Sequence, residues 1–266
     1  MNDTEWSARL VHDGEQVRQW EHWIAVSHPP VDGSALTGDD RLYPPLPVSR
    51  AAIQGLGSAV DHVGLFHSAL KETGESRPFA YFTLARAAMF SAARTIWILS
   101  PTLRSERQRR ALWFAHEDLR QYRNFTTSTS DIFEDKNLPT RALADMNLRQ
   151  KAMDSAAAKL GFVLNSKDRT SDGDVVKAAA TWLDSQSTAG DKAGHFLRML
   201  WRIHSGHAHG LNWSMQGKQE VVTRNPDGSG AIRVTASISE LAVASQAASV
   251  TINEALVLYE QRATRP

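Results

Sequence analysis

The stretch Phe79 to Leu99 constrains this chain more than any other. It is apolar on nearly every side, carries no proline or glycine, and is too long for a strand. A helix that is hydrophobic all round sits inside a bundle, covered by other helices. Arg86 and Arg94 interrupt it, which argues against a membrane span, because two guanidinium groups are costly in hydrocarbon. Pro78 suits the first turn of such a helix, since its missing N–H has no intrahelical acceptor there. The rest of the chain supplies the neighbours. Leu56, Val60, Val63, His67 and Leu70 recur every three or four residues, one face of a helix beginning near Ser49. A third helix is expected over about 102–125, with Leu112, Ala115, Leu119 and Tyr122 on its apolar side. Its other face carries Arg104, Arg107, Arg109, Arg110, Arg120 and Arg123, and a Thr/Ser loop is expected at 126–130. Further helices are expected over 139–160, 174–185 and about 190–208. The last, over 239–263, repeats at Leu241, Ser245, Ala248, Ile252, Ala255 and Tyr259.

Between the last two helices the period changes to two. Residues 220–223 and 232–238 flank Asn225-Pro226-Asp227-Gly228-Ser229-Gly230, a hairpin with a turn-forming loop. The expected fold class is therefore mostly α, a helical bundle with a small β-hairpin at about 219–238, before the last helix. Residues 1–28, with Trp6, Trp20 and Trp23 among charges, read as one or two short amphipathic helices. Residues 29–48 read as a proline-rich linker of extended backbone, and 49–266 as the bundle domain. The 30 basic side chains against 29 acidic ones leave a formal charge of +1, which disfavours indiscriminate polyanion binding. With no cysteine, thiolate catalysis, disulfides and Cys-ligated metals are excluded. No basic segment followed by an apolar run opens the chain, so the expected location is cytoplasmic, with no membrane partner.

The most unusual local sequence is Arg202-Ile203-His204-Ser205-Gly206-His207-Ala208-His209-Gly210, with three of the ten histidines. On a continuous helix His195, Arg202 and His209 fall within about 40° of one another, and Gly206 lies on the same face. Phe196, Leu200, Ile203 and His207 form a separate stripe that should pack into the bundle, and His204 should be peripheral. A guanidinium orients a phosphate, and an imidazole moves protons near neutral pH. The same residue types also suit a bland reading: a histidine near a helix C-terminus complements the macrodipole, and glycine ends the helix. Trp97, Trp113, Trp182 and Trp201 are expected in the core.

Arg-x4-6-His near the end of a late bundle helix resembles the motif of the HEPN superfamily, a group of helical nucleotide-binding domains. Both Arg202–His207 and Arg202–His209 fit the spacing. Ser-Gly-x-x-His-Gly at 205–210, and Thr83 to Met89 leading to Trp97-Ile98-Leu99, are also similar to bacterial HEPN-like proteins. The resemblance covers about residues 50–215. It implies a dimer and a metal-independent endoribonuclease of toxin or phage-defence type, with an antitoxin or other protein partner. Arg202, His209 and His207 would then be the catalytic candidates, and Arg198, His195, Arg86 and Arg94 the anion-binding ones, with no cofactor and no metal. Other members are non-catalytic modules that bind a nucleotide, nucleic acid or protein. Where such proteins often carry an acidic residue four after the arginine of the earlier helix, this chain has Phe90.

A metal centre is the competing chemistry. His195, His204, His207 and His209, with Asp61-His62, His67 and His116-Glu117-Asp118 elsewhere, could supply ligands inside a bundle. The Glu-x-x-His spacing of di-metal bundles does not occur, and Asp191-x3-His195 is the nearest approach to it. His67 lies in an apolar stripe, where a hydrogen-bonded core histidine is expected.

Overall fold

The computed structural model describes residues 1–135, 137–164, 170–186, 192–227 and 229–265. The protein is mostly α-helical, with a small antiparallel hairpin before the last helix. The helices are α1 (Asp3–Ala25), α2 (Ala35–Asp40), α3 (Val48–Thr73), α4 (Pro78–Leu99) and α5 (Arg104–Ser128). They continue with α6 (Leu138–Lys159), α7 (Asp172–Gln186), α8 (Ala193–Ala208) and α9 (Ile238–Thr264). Strands β1 (Gln219–Arg224) and β2 (Gly230–Val234) lie between α8 and α9. The expected helix start at 190–191, Asp191 and the turn residue Gly228 lie outside the described residues.

The chain divides into two compact units. The first comprises residues 1–28, 54–96 and 175–257, and the second residues 29–53, 97–174 and 258–266. In the first, Leu10 of α1, Phe66 of α3, Tyr81, Phe82 and Ala85 of α4, and Leu241, Ala242 and Ala244 of α9 form one core cluster. The apolar helix α4 lies at the centre of this packing, as its all-round hydrophobicity requires. The α9 repeat from Leu241 to Tyr259 is buried at every expected position. In the second unit Tyr43, Leu112, Ala115 and Leu119 pack against Met146, Met153, Ala156 and Ala157 of α6.

The N-terminal segment is one helix of the one or two expected, started by a reciprocal capping box between Asn2 and Glu5. Several other local expectations are corrected. Within the proline-rich stretch six residues form α2, because Ser34 caps the N–H of Thr37 before the prolines resume. Helix α5 runs on to Ser128, through residues expected to be loop, with Thr127 bonding back to the Arg123 carbonyl. Tyr122 is 45% exposed rather than packed. Among the four tryptophans expected in the core, Trp97 is buried and the others are half-buried. The second strand ends at Val234, and the ladder is irregular between Val221 and Thr223.

The arginine face of α5 is held within the second unit. Asp39, fully buried, accepts from Arg107 Nε at 2.6 Å and Nη2 at 3.0 Å, while Arg107 Nη1 donates to the carbonyls of Pro101 and Thr102. Arg104 also reaches Asp39, Arg110 pairs with Glu106, Arg120 with Glu117, and Arg109 lies over the Phe162 ring. These guanidinium groups staple helices and loops to one another. Among the described residues α9 alone is long and apolar enough to cross a membrane, and 61% of its apolar window is buried in the fold.

Candidate functional site

Helix α8 belongs to the first unit and sorts its histidines by depth. His204 and His207 are buried, at 2% and 1% exposure, whereas His195, Arg198, Arg202 and His209 are exposed. The expectation that His204 is peripheral is therefore corrected. Its ring stacks on Phe82 of α4 with centroids 4.6 Å apart and planes within 15°, and that contact draws it inward. His207 tilts against the same phenyl ring at 4.7 Å and donates from Nδ1 to the Ile203 carbonyl at 2.9 Å. Burial pushes the His204 imidazole down to about 3, helped by nearby His207 and Lys218, and burial also lowers His207. Both are neutral core groups at physiological pH. Lys218 pairs with Glu240 and lies 5.0 Å from the Phe82 ring centre, which closes the base of the hairpin over this cluster. Of the stripe expected to pack, Leu200 and His207 are buried, Ile203 is half-buried and Phe196 remains 51% exposed.

The opposite face of α8 is a cationic row. Arg198, Arg202 and His209 are placed on it by helical spacing, and the amide of His209 still bonds the Ser205 carbonyl at 3.2 Å. Among the described residues, the side chains of Arg198, Arg202 and His209 form no ion pair or hydrogen bond. No Asp or Glu occurs between Lys192 and Gln219. From α4, Arg86 donates through Nε to Ser205 Oγ at 2.6 Å, and its guanidinium carbon lies 5.4 Å from the Trp201 ring centre. Arg86 thus stands at the flank of the row, held by a hydroxyl and an aromatic face rather than a carboxylate. Arg94, two turns on and about 12 Å further along α4, reaches instead toward Gly55 of α3. Phe90 occupies the position where the resemblance calls for an acidic residue, and it stacks on Trp201 at 6.4 Å.

Sequence reasoning missed Trp213. Helix α8 ends in a Schellman motif: Leu211 N–H bonds the Gly206 carbonyl at 2.9 Å and Gly210 N–H bonds the His207 carbonyl at 3.1 Å. Gly210 takes the left-handed conformation at φ +63° that this stop needs. The chain reverses into a 3-10 turn, Asn212–Met215, and returns along the helix. A Cβ on Gly206 would lie 2.8 Å from Trp213 Cζ2 and 2.6 Å from Ser214 Cβ. The space that glycine leaves on the Arg202–His209 face is therefore filled by Ser214 and by the indole, which is still 50% exposed. The only signal in the sequence was the glycine itself.

The other polar cluster of this unit is internal. Ser245 Oγ donates to Asp13 Oδ2 at 3.1 Å and accepts from His67 Nε2 at 2.9 Å, while Arg9 Nε stands 3.1 Å from Asp13 Oδ1. The serine lies between acid and histidine, so the histidine is not oriented by the carboxylate as in a nucleophilic triad. Ser245 is fully buried, and burial pushes His67 down to about 4. A groove of about 670 Å³ lies beside it between α1 and α3. The histidines of α8 do not converge as a ligand set, since two are buried against Phe82 and two face outward. Among the described residues no group of three or more metal-ligating side chains stands together. No family model, curated protein or solved structure matches the chain.

Proposed function

We propose that the exposed face of α8 binds RNA and that the chain is a metal-independent endoribonuclease of the HEPN type. The observation that carries this reading is the pairing of Arg202 with His209 on one exposed stripe, both side chains without ion-pair or hydrogen-bond partners among the described residues, with Arg198 and Arg86 beside them. Arg104, Arg110 and Arg120 of α5 are instead held by carboxylates. Uncompensated guanidinium groups on a stretch without acids suit a polyanion.

The chemistry follows from the groups. Arg202 holds the scissile phosphate and stabilises the extra negative charge of the pentacoordinate transition state. His209, as the neutral base, takes the proton of the adjacent 2′-hydroxyl as that oxygen attacks phosphorus. The bond from phosphorus to the 5′-oxygen breaks, leaving a 2′,3′-cyclic phosphate, and the 5′-oxygen takes a proton. His195, the other exposed imidazole of this face, lies fourteen residues, or about 20 Å, from His209 along the helix, too far to serve the same phosphate, so the acid for the leaving group is assigned to a second copy of the chain across a two-fold. His207 is assigned to the core, because its buried ring is turned onto Phe82. A protein partner, such as an antitoxin, would act by covering the cationic row.

The Phe90–Trp201 stack favours a second reading, a non-catalytic RNA-binding module, since an aromatic pair replaces the acidic group the resemblance implies. One assay separates the two. Wild-type protein in EDTA should cleave single-stranded RNA to cyclic-phosphate ends, and Arg202→Ala and His209→Ala should each lose that activity with unchanged circular dichroism. Binding without cleavage leaves the module; no RNA binding by the wild type refutes both.

A further inference from the structure

Arg202, Gly206 and His209 lie at i, i+4 and i+7 on α8, one stripe about 10 Å long from first to last. The indole of Trp213, together with Ser214, lies against the middle of that stripe at the bare Gly206. Half of its surface faces solvent. The placement is built by backbone geometry: the Schellman stop at Gly210, the 3-10 turn, and Ser214 Oγ donating to the Leu211 carbonyl at 2.7 Å all fix the return of the chain.

We infer that Trp213 is a base-stacking platform, so that the α8 site takes single-stranded RNA with an unpaired base laid on the indole and the adjoining phosphates on Arg202 and Arg198. This inference rests on the RNA-binding reading above and specifies its substrate class. An aromatic face bordered by cations is the combination that holds single strands: stacking accepts any base, and the cations follow the backbone. A-form duplex RNA keeps its base faces inside the stack and offers the indole nothing, so only the phosphate contacts remain. Stacking also has a consequence for catalysis. A base held at Gly206 brings its ribose and phosphate to the stripe that carries Arg202 and His209.

The test is a fluorescence-anisotropy titration of the full chain with two probes: an unstructured RNA oligonucleotide and a duplex of the same length. Both are 2′-O-methylated, which blocks cleavage and isolates binding. Trp213→Ala should weaken single-strand binding by about 5- to 100-fold and leave duplex binding unchanged. Trp213→Phe should restore most of the loss. Gly206→Ala gives an independent route, because the new methyl group displaces Ser214 and the indole together and should copy the single-strand defect. Arg202→Ala should weaken both probes. If Trp213→Ala binds the single strand as tightly as wild type, or loses both probes equally, the stacking inference is wrong while RNA binding stands. If the wild type binds neither probe, the RNA-binding reading itself falls, and the stacking role falls with it.

Discussion

Two histidines three residues apart on one helix, His204 and His207, show how burial removes a titratable group from chemistry. Each has one ring nitrogen buried without a hydrogen-bond partner, Nδ1 of His204 and Nε2 of His207, and both rings lie on Phe82. Protonation in the folded state would place a cation near Lys218, in apolar surroundings. The unfolded chain binds protons near the ordinary histidine value of about 6.5, whereas folded His204 waits until about 3 and His67 until about 4. Below pH 6.5 the unfolded state therefore holds more protons, and stability is lost progressively as the pH falls from there toward 4 and 3. Urea unfolding at a series of pH values should show this decline. His204→Phe, which keeps the stack on Phe82, should reduce the slope by about one proton, or roughly 1.4 kcal/mol per pH unit. A slope unchanged by that substitution would mean that His204 is not a buried neutral group. His207→Ala should cost about 2–4 kcal/mol as a cavity mutation. Arg202→Ala, at an exposed position, should stay within about 0.5 kcal/mol of wild type.

At the scale of elements, polar clamps fix the ends of helices. Helix α5 is anchored at its start by Arg107, which is 3% exposed and gives four of its five N–H donors to Asp39 and two carbonyls. Removing the carboxylate leaves a buried guanidinium with no counter-charge. Asp39→Ala should destabilise the protein by about 3–5 kcal/mol, read from the denaturant midpoint. Replacing Glu117, whose pair with Arg120 is a third exposed, should change it by less than about 1 kcal/mol. Equal effects would mean that the two pairs are equally solvated, against their burial. Helix α8 ends by a backbone device, and Gly210→Ala would force a side chain into the left-handed region at φ +63°. The expected result is lowered stability together with a displaced 3-10 turn.

For the whole molecule, the proposed reaction requires more groups than one chain presents on the α8 stripe. Light scattering at micromolar concentration should give a dimer. A strict monomer that cleaves RNA would place the second proton-transfer group within the same chain and refute the shared-site proposal.

How much of this was legible in the sequence depends on the range of the physics involved. Periodicity is local, and it located α3, α4 and α9 with their buried faces, because each helix must hide its own apolar stripe. Turn residues located the hairpin for the same reason. The stripe of Arg202 and His209 also followed from the 3.6-residue repeat alone. The composition ruled out thiolate and disulfide chemistry, and the spacing of residues 202–210 singled out α8. Which histidine is buried was not decided locally: His204 and His207 were drawn inward by Phe82, a residue more than a hundred positions away in the chain. The partners of Arg86 and Arg107 were likewise chosen by packing, one a serine and an indole, the other an aspartate that the proline-rich stretch folds into place. Trp213 reached the cationic face only because a Schellman stop reversed the chain over a glycine. The sequence by itself determined the helical class and the cationic stripe, since both are set by repeats within single elements. Tertiary structure alone decided the depth of each histidine and the aromatic floor of the site, since contacts between distant elements have no periodic signature.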